Sequence, residues 1–223
     1  DNYLAYKIKI KGLRGGHSGL DISLGRGTAN KLLNRLLYQA RSDMKLELID
    51  FQGGSLRNAI PREAEARVCL PRDRAGDFEI LVAEMGKTMQ RELGEADPGL
   101  VLQAEKTDMP GFIIDPEVSQ RFIMAVYACP NGVIRMIHDM PEVVETSTNL
   151  AVITTGNGRI ELSSLQRSSV DSAKEDLCHM MRSVFELAGA SVEHGGAYPG
   201  WKPNVNSPIL KTMKEVYEKM HGR

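Results

Sequence analysis

The hydrophobic periodicity of the first half of the chain is the feature that most constrains its fold. Apolar residues at every second position indicate half-buried strands, and apolar residues at intervals of three and four indicate amphipathic helices. These patterns follow one another as strand, helix, strand, strand, helix and strand. The segments are residues 6–10, 29–40, 44–48, 64–70, 78–89 and 100–103. This order predicts the split βαβ arrangement of a ferredoxin-like sandwich.

The second half of the chain repeats much of this pattern. A helical stretch precedes three strands, and the turn formers Asn157 and Gly158 separate the last two strands. A second helix and a short strand follow. The segments are residues 118–129, 133–138, 147–153, 159–165, 173–185 and 190–192. We therefore predict an α+β protein with two ferredoxin-like α/β sandwich units in tandem, in which antiparallel sheets carry their helices on one face.

The predicted boundaries divide the chain into three parts. Residues 1–110 form the first half, residues 111–200 form the second half, and residues 201–223 contain a linker and a last helix at residues 209–220. Turn-forming residues dominate residues 195–201 and predict a linker or an ordered loop there. The chain begins almost inside a strand and stops just after a helix, so we expect it to be a piece of a longer protein.

Composition limits the partners and the compartment. The 223 residues are 42% hydrophobic and 26% charged, which suits a globular protein with a substantial core. A net charge of −1 argues against nucleic acid or an anionic membrane as a partner. No apolar run reaches the ~20 residues that span a bilayer. Cys69, Cys129 and Cys178 form an odd, scattered set, which suits a reducing, cytoplasmic compartment.

A glycine-rich turn around His17 is the first candidate site. Glycines on both sides of the histidine permit positive φ angles and place the imidazole between a strand and a helix. An imidazole in such a place can donate a hydrogen bond to a developing oxyanion. The alternative is a tight turn with a solvated histidine, and the spacing does not exclude it.

Asn58 and Arg167 are the other two candidates. Pro61 biases Ile60 toward an extended conformation, so Asn58 lies at a strand entrance where its amide can reach a ligand. Arg167 ends a predicted strand just before a helix, and its guanidinium suits bidentate binding of a carboxylate. An ordinary loop asparagine and a surface arginine are the competing interpretations.

Several other patterns do not support a site. The stretch from Gly25 to Asn30 lacks the third glycine of a dinucleotide-binding fingerprint, and no phosphate-binding loop is present. The adjacent pairs at residues 138–139 and 178–179 lack further ligands at a spacing typical of zinc. His17 and Ser18 do not form a nucleophilic dyad, because sequence neighbours rarely face each other. We therefore predict no metal ligands in this chain.

Three stretches nevertheless resemble a known family of zinc peptidases. They are residues 9–22, which include Gly-Gly-His-Ser-Gly, residues 30–33, and residues 57–61, Arg-Asn-Ala-Ile-Pro. The chain is similar to the M20 family of zinc aminopeptidases and carboxypeptidases, and within it to the aminoacyl-histidine (Xaa-His) dipeptidase branch. Tyr-Pro-Gly-Trp at residues 198–201 points to the same branch.

The resemblance implies a hydrolase with two domains. A catalytic domain would hold two zinc ions, a bridging water and a glutamate base, and a long, duplicated lid or dimerisation domain would close over the dipeptide. His17 would then stabilise the oxyanion, Asn58 would orient the substrate, and Arg167 would bind the terminal carboxylate of a carnosine-like Xaa-His dipeptide. A homodimer through the lid is also compatible with an unpaired strand edge.

The metal motifs of the family do not occur in this sequence. The resemblance therefore implies that the chain is the lid, that residues 207–221 start the returning catalytic domain, and that the fragment alone binds no zinc and hydrolyses no peptide. The rival hypothesis is a non-catalytic tandem ferredoxin-like module for binding or dimerisation. A related tripeptidase or acyl-amino-acid deacylase is a third interpretation, but it would not need the second half.

Overall fold

The computed structural model of the protein describes residues 2–201, 204 and 206–222. Strands and helices alternate along the described chain, as the periodicity predicts. The strands are β1 (Tyr3–Lys11), β2 (Gly16–His17), β3 (Glu47–Gly53), β4 (Ala59–Ile60), β5 (Ala64–Pro71), β6 (Val101–Thr107), β7 (Gly132–Ile137), β8 (Met140–Gly156) and β9 (Arg159–Ser168). The helices are α1 (Ala29–Met44), α2 (Ala75–Leu93), α3 (Pro116–Ala128), α4 (Asp171–Leu187) and α5 (Pro208–His221).

Seven of these strands form one antiparallel sheet that crosses the predicted boundary between the two halves. The strand order is β6-β1-β5-β3-β8-β7, and β9 pairs with β8. Only the end of β8 reaches the first half, where Thr154 and Ile153 pair with Gln52 and Gly53 of β3. Most of β8 pairs with β7 on the same edge and with β9 on the other edge. The two short strands β2 and β4 pair with each other in a separate two-stranded sheet.

Helices α1 to α4 form one layer, because α2 contacts α1, α1 contacts α3, and α3 contacts α4. A single buried cluster lies between this layer and the large sheet and includes residues from both halves. Phe51 of β3 meets Phe122 of α3 edge to face, with 5.8 Å between ring centroids. The ammonium group of Lys31 on α1 donates hydrogen bonds to three carbonyls at the end of α3. These contacts make both halves parts of one packed core.

The predicted α+β class, antiparallel sheet and single helical face are confirmed. The prediction of two complete ferredoxin-like units in tandem is not confirmed, because the second half contributes three strands and shares its sheet with the first. Residues 190–192, predicted as a strand, have no regular structure. The division of the chain at residues 110 and 200 stays a prediction.

The predicted strand at residues 44–48 begins too early. Helix α1 continues to Met44, and Lys45 then ends it in a left-handed conformation with φ of 53°. Met44 is buried in the core, so its apolar side chain belongs to the helical stripe as well as to the apparent alternation. Strand β3 starts at Glu47.

Helix α5 is the last element of the chain, well after the end of α4, and it buries none of its side chains. Its apolar residues therefore face solvent in this structure, although they follow helical spacing. No helix of the described residues combines the length and the apolar character that crossing a membrane requires.

Candidate functional site

The loop between β1 and α1 carries His17, and its shape depends on two glycines. Gly15 has φ of +62° and Gly16 has φ of +139°, conformations that residues with a side chain rarely adopt. A Cβ at Gly16 would also lie 2.6 Å from a carboxylate oxygen of Asp21. The Gly-Gly pair is therefore required both by backbone conformation and by space.

The His17 imidazole has a defined tautomer. The backbone N–H of Gly19 donates to its Nδ1 at 3.2 Å, so Nδ1 keeps its lone pair. In the neutral ring the proton must then lie on Nε2. His17 is half-buried, and its own backbone N–H donates to Oδ2 of Asp21 at 2.8 Å. The loop thus presents an N–H donor on a ring that its neighbours orient.

A buried carboxylate holds the two ends of this loop together. Asp97 is completely buried and accepts hydrogen bonds from the backbone N–H of Arg14 at 2.7 Å and of Gly27 at 2.6 Å. Within the loop, the Arg26 guanidinium donates to the carbonyl of Gly15 at 2.6 Å. The loop that carries His17 is therefore tied at its base and across its middle.

Asn58 lies directly beside His17. The two-stranded sheet pairs His17 with Ala59, and the carbonyl of Asn58 accepts a hydrogen bond from the backbone N–H of Ser18 at 2.8 Å. The Asn58 side chain is exposed. Asn149 on β8 is buried and donates from its side-chain amide to the carbonyl of Ala59 at 2.7 Å. This bond fastens the short strand β4 to the large sheet.

Arg167 reaches the same place from β9, one residue before that strand ends. A Cβ at Gly19 would lie 3.1 Å from Cε1 of His17 and 3.3 Å from Cζ of Arg167, so both side chains adjoin this glycine. The Arg167 Nε is buried and has no hydrogen-bond partner within the described chain. The Nη1 nitrogen donates to the hydroxyl of Tyr198 at 3.3 Å. A ligand can therefore contact Arg167 only through its terminal nitrogens.

The structure thus brings all three predicted site residues together. A cleft of about 1670 Å³ opens beside Arg167, and its lining includes Gly19, Arg57 and Tyr198 but neither His17 nor Asn58. The guanidinium of Arg167 lies in this lining, and a guanidinium can bind a carboxylate through two parallel hydrogen bonds. An N–H donor, an exposed amide and a guanidinium side by side can bind a carbonyl and a carboxylate of one small molecule.

Sequence reasoning did not find the residues that hold this arrangement. Asn149 had a detectable signal, because a polar amide in the middle of an apolar strand must find a partner when it is buried. Asp97 lies in a polar loop and has no such signal. Tyr198 belongs to the stretch that resembles the dipeptidase branch, but nothing in the sequence links it to Arg167. His138, which we expected on a strand, lies exposed in the turn between β7 and β8.

The described residues do not fit a zinc site. Among residues 2–201, 204 and 206–222, no three His, Cys, Asp or Glu side chains lie close enough together to hold a metal ion. All three cysteines in this part of the chain are free thiols, and burial raises the pKa of each. Their thiolate forms, which bind metals, are therefore disfavoured.

Comparisons with known proteins agree with one another. The sequence profile of the peptidase dimerisation domain of the M20 family matches residues 2–97. Over 218 residues, or 98% of its length, the chain is 40% identical to the cytosol non-specific dipeptidase of Escherichia coli strain K12. That alignment covers 45% of the relative.

A solved structure matches the entire chain. The aminoacylhistidine dipeptidase of Vibrio alginolyticus is 42% identical and superposes with a TM-score of 0.95 over 100% of this chain and 45% of its own. The chain therefore spans about half the length of the relatives that it matches.

Proposed function

We propose that the chain is the lid domain of a zinc-dependent dipeptidase, because residues 2–97 match the peptidase dimerisation domain of the M20 family. In the proposed full-length enzyme, the lid closes over a dipeptide and supplies side chains to it. The similarity to two dipeptidases over 98% and 100% of the chain supports the proposal.

The orientation of the His17 ring, fixed by the hydrogen bond from Gly19 to Nδ1, is the observation that carries the proposal. The hydrogen bond from Gly19 to Nδ1 leaves the Nε2 proton free to be donated. As a peptide carbonyl becomes tetrahedral, negative charge develops on its oxygen, and a donor already in place stabilises that charge. His17 therefore acts as the oxyanion donor and neither gains nor loses a proton in the step.

Asn58 and Arg167 bind the substrate on either side of this donor. The exposed amide of Asn58 orients the peptide, and the terminal nitrogens of Arg167 bind its carboxylate in a bidentate manner. Arg167 holds the terminal carboxylate at a fixed distance from the His17 donor. Only a peptide of matching length can then place its scissile carbonyl at that donor. This arrangement favours dipeptides over longer peptides.

The zinc ions of the proposed enzyme need ligands that the described residues of this chain do not offer. We propose that two zinc ions are held by the catalytic domain of the full-length protein, where they would supply the hydrolytic water. This chain's part is to bind and orient the dipeptide and to stabilise charge on its carbonyl oxygen.

The similarity to M20 dipeptidases supports three further parts of the proposal. The domain description supports a homodimer, and the outer edge of β6 has no pairing partner among the described residues. The name of the Escherichia coli relative supports a cytoplasmic location. The match to dipeptidases through the second half favours this function over a non-catalytic module, and over a tripeptidase or deacylase that would not need that half.

A substrate panel tests the proposal on the full-length, zinc-loaded protein. We expect hydrolysis of alanyl-histidine and related Xaa-His dipeptides, no hydrolysis of the matching tripeptides, and loss of activity with a chelator. Comparable hydrolysis of dipeptides without histidine would replace the Xaa-His preference by a broad one, as the name of one relative suggests. Absence of dipeptidase activity with zinc bound would refute the proposed function.

A further inference from the structure

We propose that Tyr198 is a positioning residue for the Arg167 guanidinium, and that Asp171 and Lys174 hold Tyr198 in place. The inference rests on the proposed binding of a substrate carboxylate by Arg167. It concerns residues 191–201, named here the 191–201 segment, which run without regular secondary structure past the end of β9 and the start of α4.

The 191–201 segment is attached to the domain at two residues. The carbonyl of Tyr198 accepts a hydrogen bond from the Lys174 ammonium group at 2.6 Å, and its hydroxyl accepts one from Arg167 at 3.3 Å. The backbone N–H of Gly200 donates to Oδ1 of Asp171 at 2.8 Å. The same carboxylate oxygen accepts a hydrogen bond from Lys174 at 2.9 Å. Asp171 and Lys174 thus hold the backbone on both sides of Pro199.

This attachment is more than a surface ion pair. The side chain of Lys174 is only 17% exposed and lies beneath the segment, whereas that of Asp171 is 54% exposed. Lys174 and then the N–H of Gly200 lower the pKa of Asp171, which keeps the carboxylate charged. The charged carboxylate in turn stabilises the ammonium group.

Close backbone packing adds a second constraint on the segment. A Cβ at Gly200 would lie 2.7 Å from both the carbonyl carbon and the oxygen of Ser169. Only glycine lets the segment approach the end of β9 this closely. The backbone that carries Tyr198 is therefore placed by bonds to α4 and by contact with the end of β9, although Tyr198 itself is 68% exposed.

Arg167 needs the Tyr198 hydroxyl because its other contacts do not hold the terminal nitrogens of its guanidinium group. Its Nε is buried near Gly19, and the single hydrogen bond of its guanidinium within the described chain is the one to Tyr198. A guanidinium that rotates freely loses conformational entropy each time it binds a carboxylate. The Tyr198 hydroxyl reduces that loss by holding Nη1, and its own proton remains available.

The test uses the full-length, zinc-loaded enzyme with alanyl-histidine as substrate and its C-terminal amide as a competing ligand. For Tyr198→Phe and Lys174→Met we expect KM for alanyl-histidine to rise about 3- to 10-fold, with kcat changed less than about twofold. The inhibition constant of the amide should stay unchanged, since the amide carries no carboxylate. Lys87→Met on the exposed surface of α2 is the matched control for Lys174.

Two glycines of the segment give an independent comparison that leaves every polar group in place. Gly200→Ala must displace the segment from Ser169, whereas a Cβ at Gly195 meets no atom within 4 Å. We expect Gly200→Ala to raise KM for alanyl-histidine as Tyr198→Phe does, and Gly195→Ala to behave like the wild type. Equal effects of the two substitutions would contradict the inference.

Arg167→Ala separates the two levels of the proposal. If this variant binds alanyl-histidine and its amide with the wild-type preference, the proposed role of Arg167 fails. If it loses that preference while Tyr198→Phe and Lys174→Met keep it, the positioning role of Tyr198 is overturned and the role of Arg167 stands. In the Arg167→Ala background, Tyr198→Phe should have no further effect.

Discussion

At the scale of single residues, Asp97 determines where the loop that carries His17 begins and ends. Its two carboxylate oxygens accept the backbone N–H groups of Arg14 and Gly27, and the carboxylate is completely buried. An asparagine at this position can accept only one of these bonds, because its NH₂ group is a donor. The other N–H would remain buried without a partner.

We therefore expect Asp97→Asn to lower the free energy of unfolding by about 2–3 kcal/mol. The activity of the full-length enzyme should fall as well, because the base of the His17 loop opens. Urea denaturation followed by circular dichroism measures the first effect. Asp108→Asn, on an exposed loop, is the matched control. Equal stability of the two variants would show that Asp97 does not tie the loop.

Tyr6 gives a prediction about pH. Its hydroxyl donates to Glu79 at 2.7 Å, and burial, followed by this neighbour, raises the pKa of the phenol from 10.0 to about 12. Folding therefore favours the neutral phenol, and its contribution to stability is fully present below pH 10. It is lost as the pH rises from 10 to about 12.

Tyr6→Phe removes this contribution. We expect the variant to be less stable than the wild type at pH 8 and the difference between the two to narrow between pH 10 and 12. Denaturant unfolding at a series of pH values measures the difference in the free energy of unfolding. A difference that stays constant across this range would show that Tyr6 titrates alike in the folded and unfolded chains.

At the scale of elements, the site depends on β4, a strand of two residues that cannot hold its place alone. Asn149 on β8 donates to the carbonyl of Ala59, and it also contacts the carbonyl of Arg57 at 3.4 Å. Since β4 pairs with His17 and follows Asn58, this amide links the central sheet to both candidate residues.

We expect Asn149→Ala to lower kcat/KM of the full-length enzyme about tenfold or more, because small displacements of substrate-binding groups are costly. Asn34→Ala is the matched control, since buried Asn34 donates to the carbonyl of Ile123 on α3 and not to β4. Both variants should lose similar stability, but only the first should lose activity. If Asn149→Ala and Asn34→Ala lost activity to the same extent, Asn149 would contribute to stability alone.

Sequence periodicity predicted the elements whose apolar residues all face one core. The alternation at Tyr6, Ile8 and Ile10 and the stripe along α1 are of this kind, and all three of these strand residues are buried. Strands of two residues, such as β2 and β4, have no period to detect. Met44 satisfied both patterns at once, so the boundary between α1 and β3 could not be placed from sequence.

At the scale of the whole molecule, the pairing of β3 with β8 joins the two halves into one sheet. This pairing spans only Gln52 with Thr154 and Gly53 with Ile153, about a hundred residues apart in sequence. The sequence of each half predicts the strands within that half, but local patterns contain no information on which strand edges pair with each other. The tandem arrangement was therefore the natural prediction, and a continuous sheet was not.

The three candidate site residues were singled out from the sequence for a different reason, and their roles stay predictions. His17 and Asn58 were identified by the resemblance of Gly-Gly-His-Ser-Gly and Arg-Asn-Ala-Ile-Pro to the peptidase family. Arg167 was identified by its place between a strand and a helix. Asp97, Asn149 and Lys174 were not found, because each acts through a backbone group distant in sequence. Contacts of this kind become visible only when the chain is folded.

The oxyanion role of His17 is the claim on which the proposed mechanism rests, and the kcat of His17→Ala in the full-length enzyme is its test. We predict a fall in kcat of about 100- to 1,000-fold, with unchanged zinc content and with exposed His138→Ala at the wild-type rate. A kcat within a few fold of the wild type, with zinc bound, would contradict the claim.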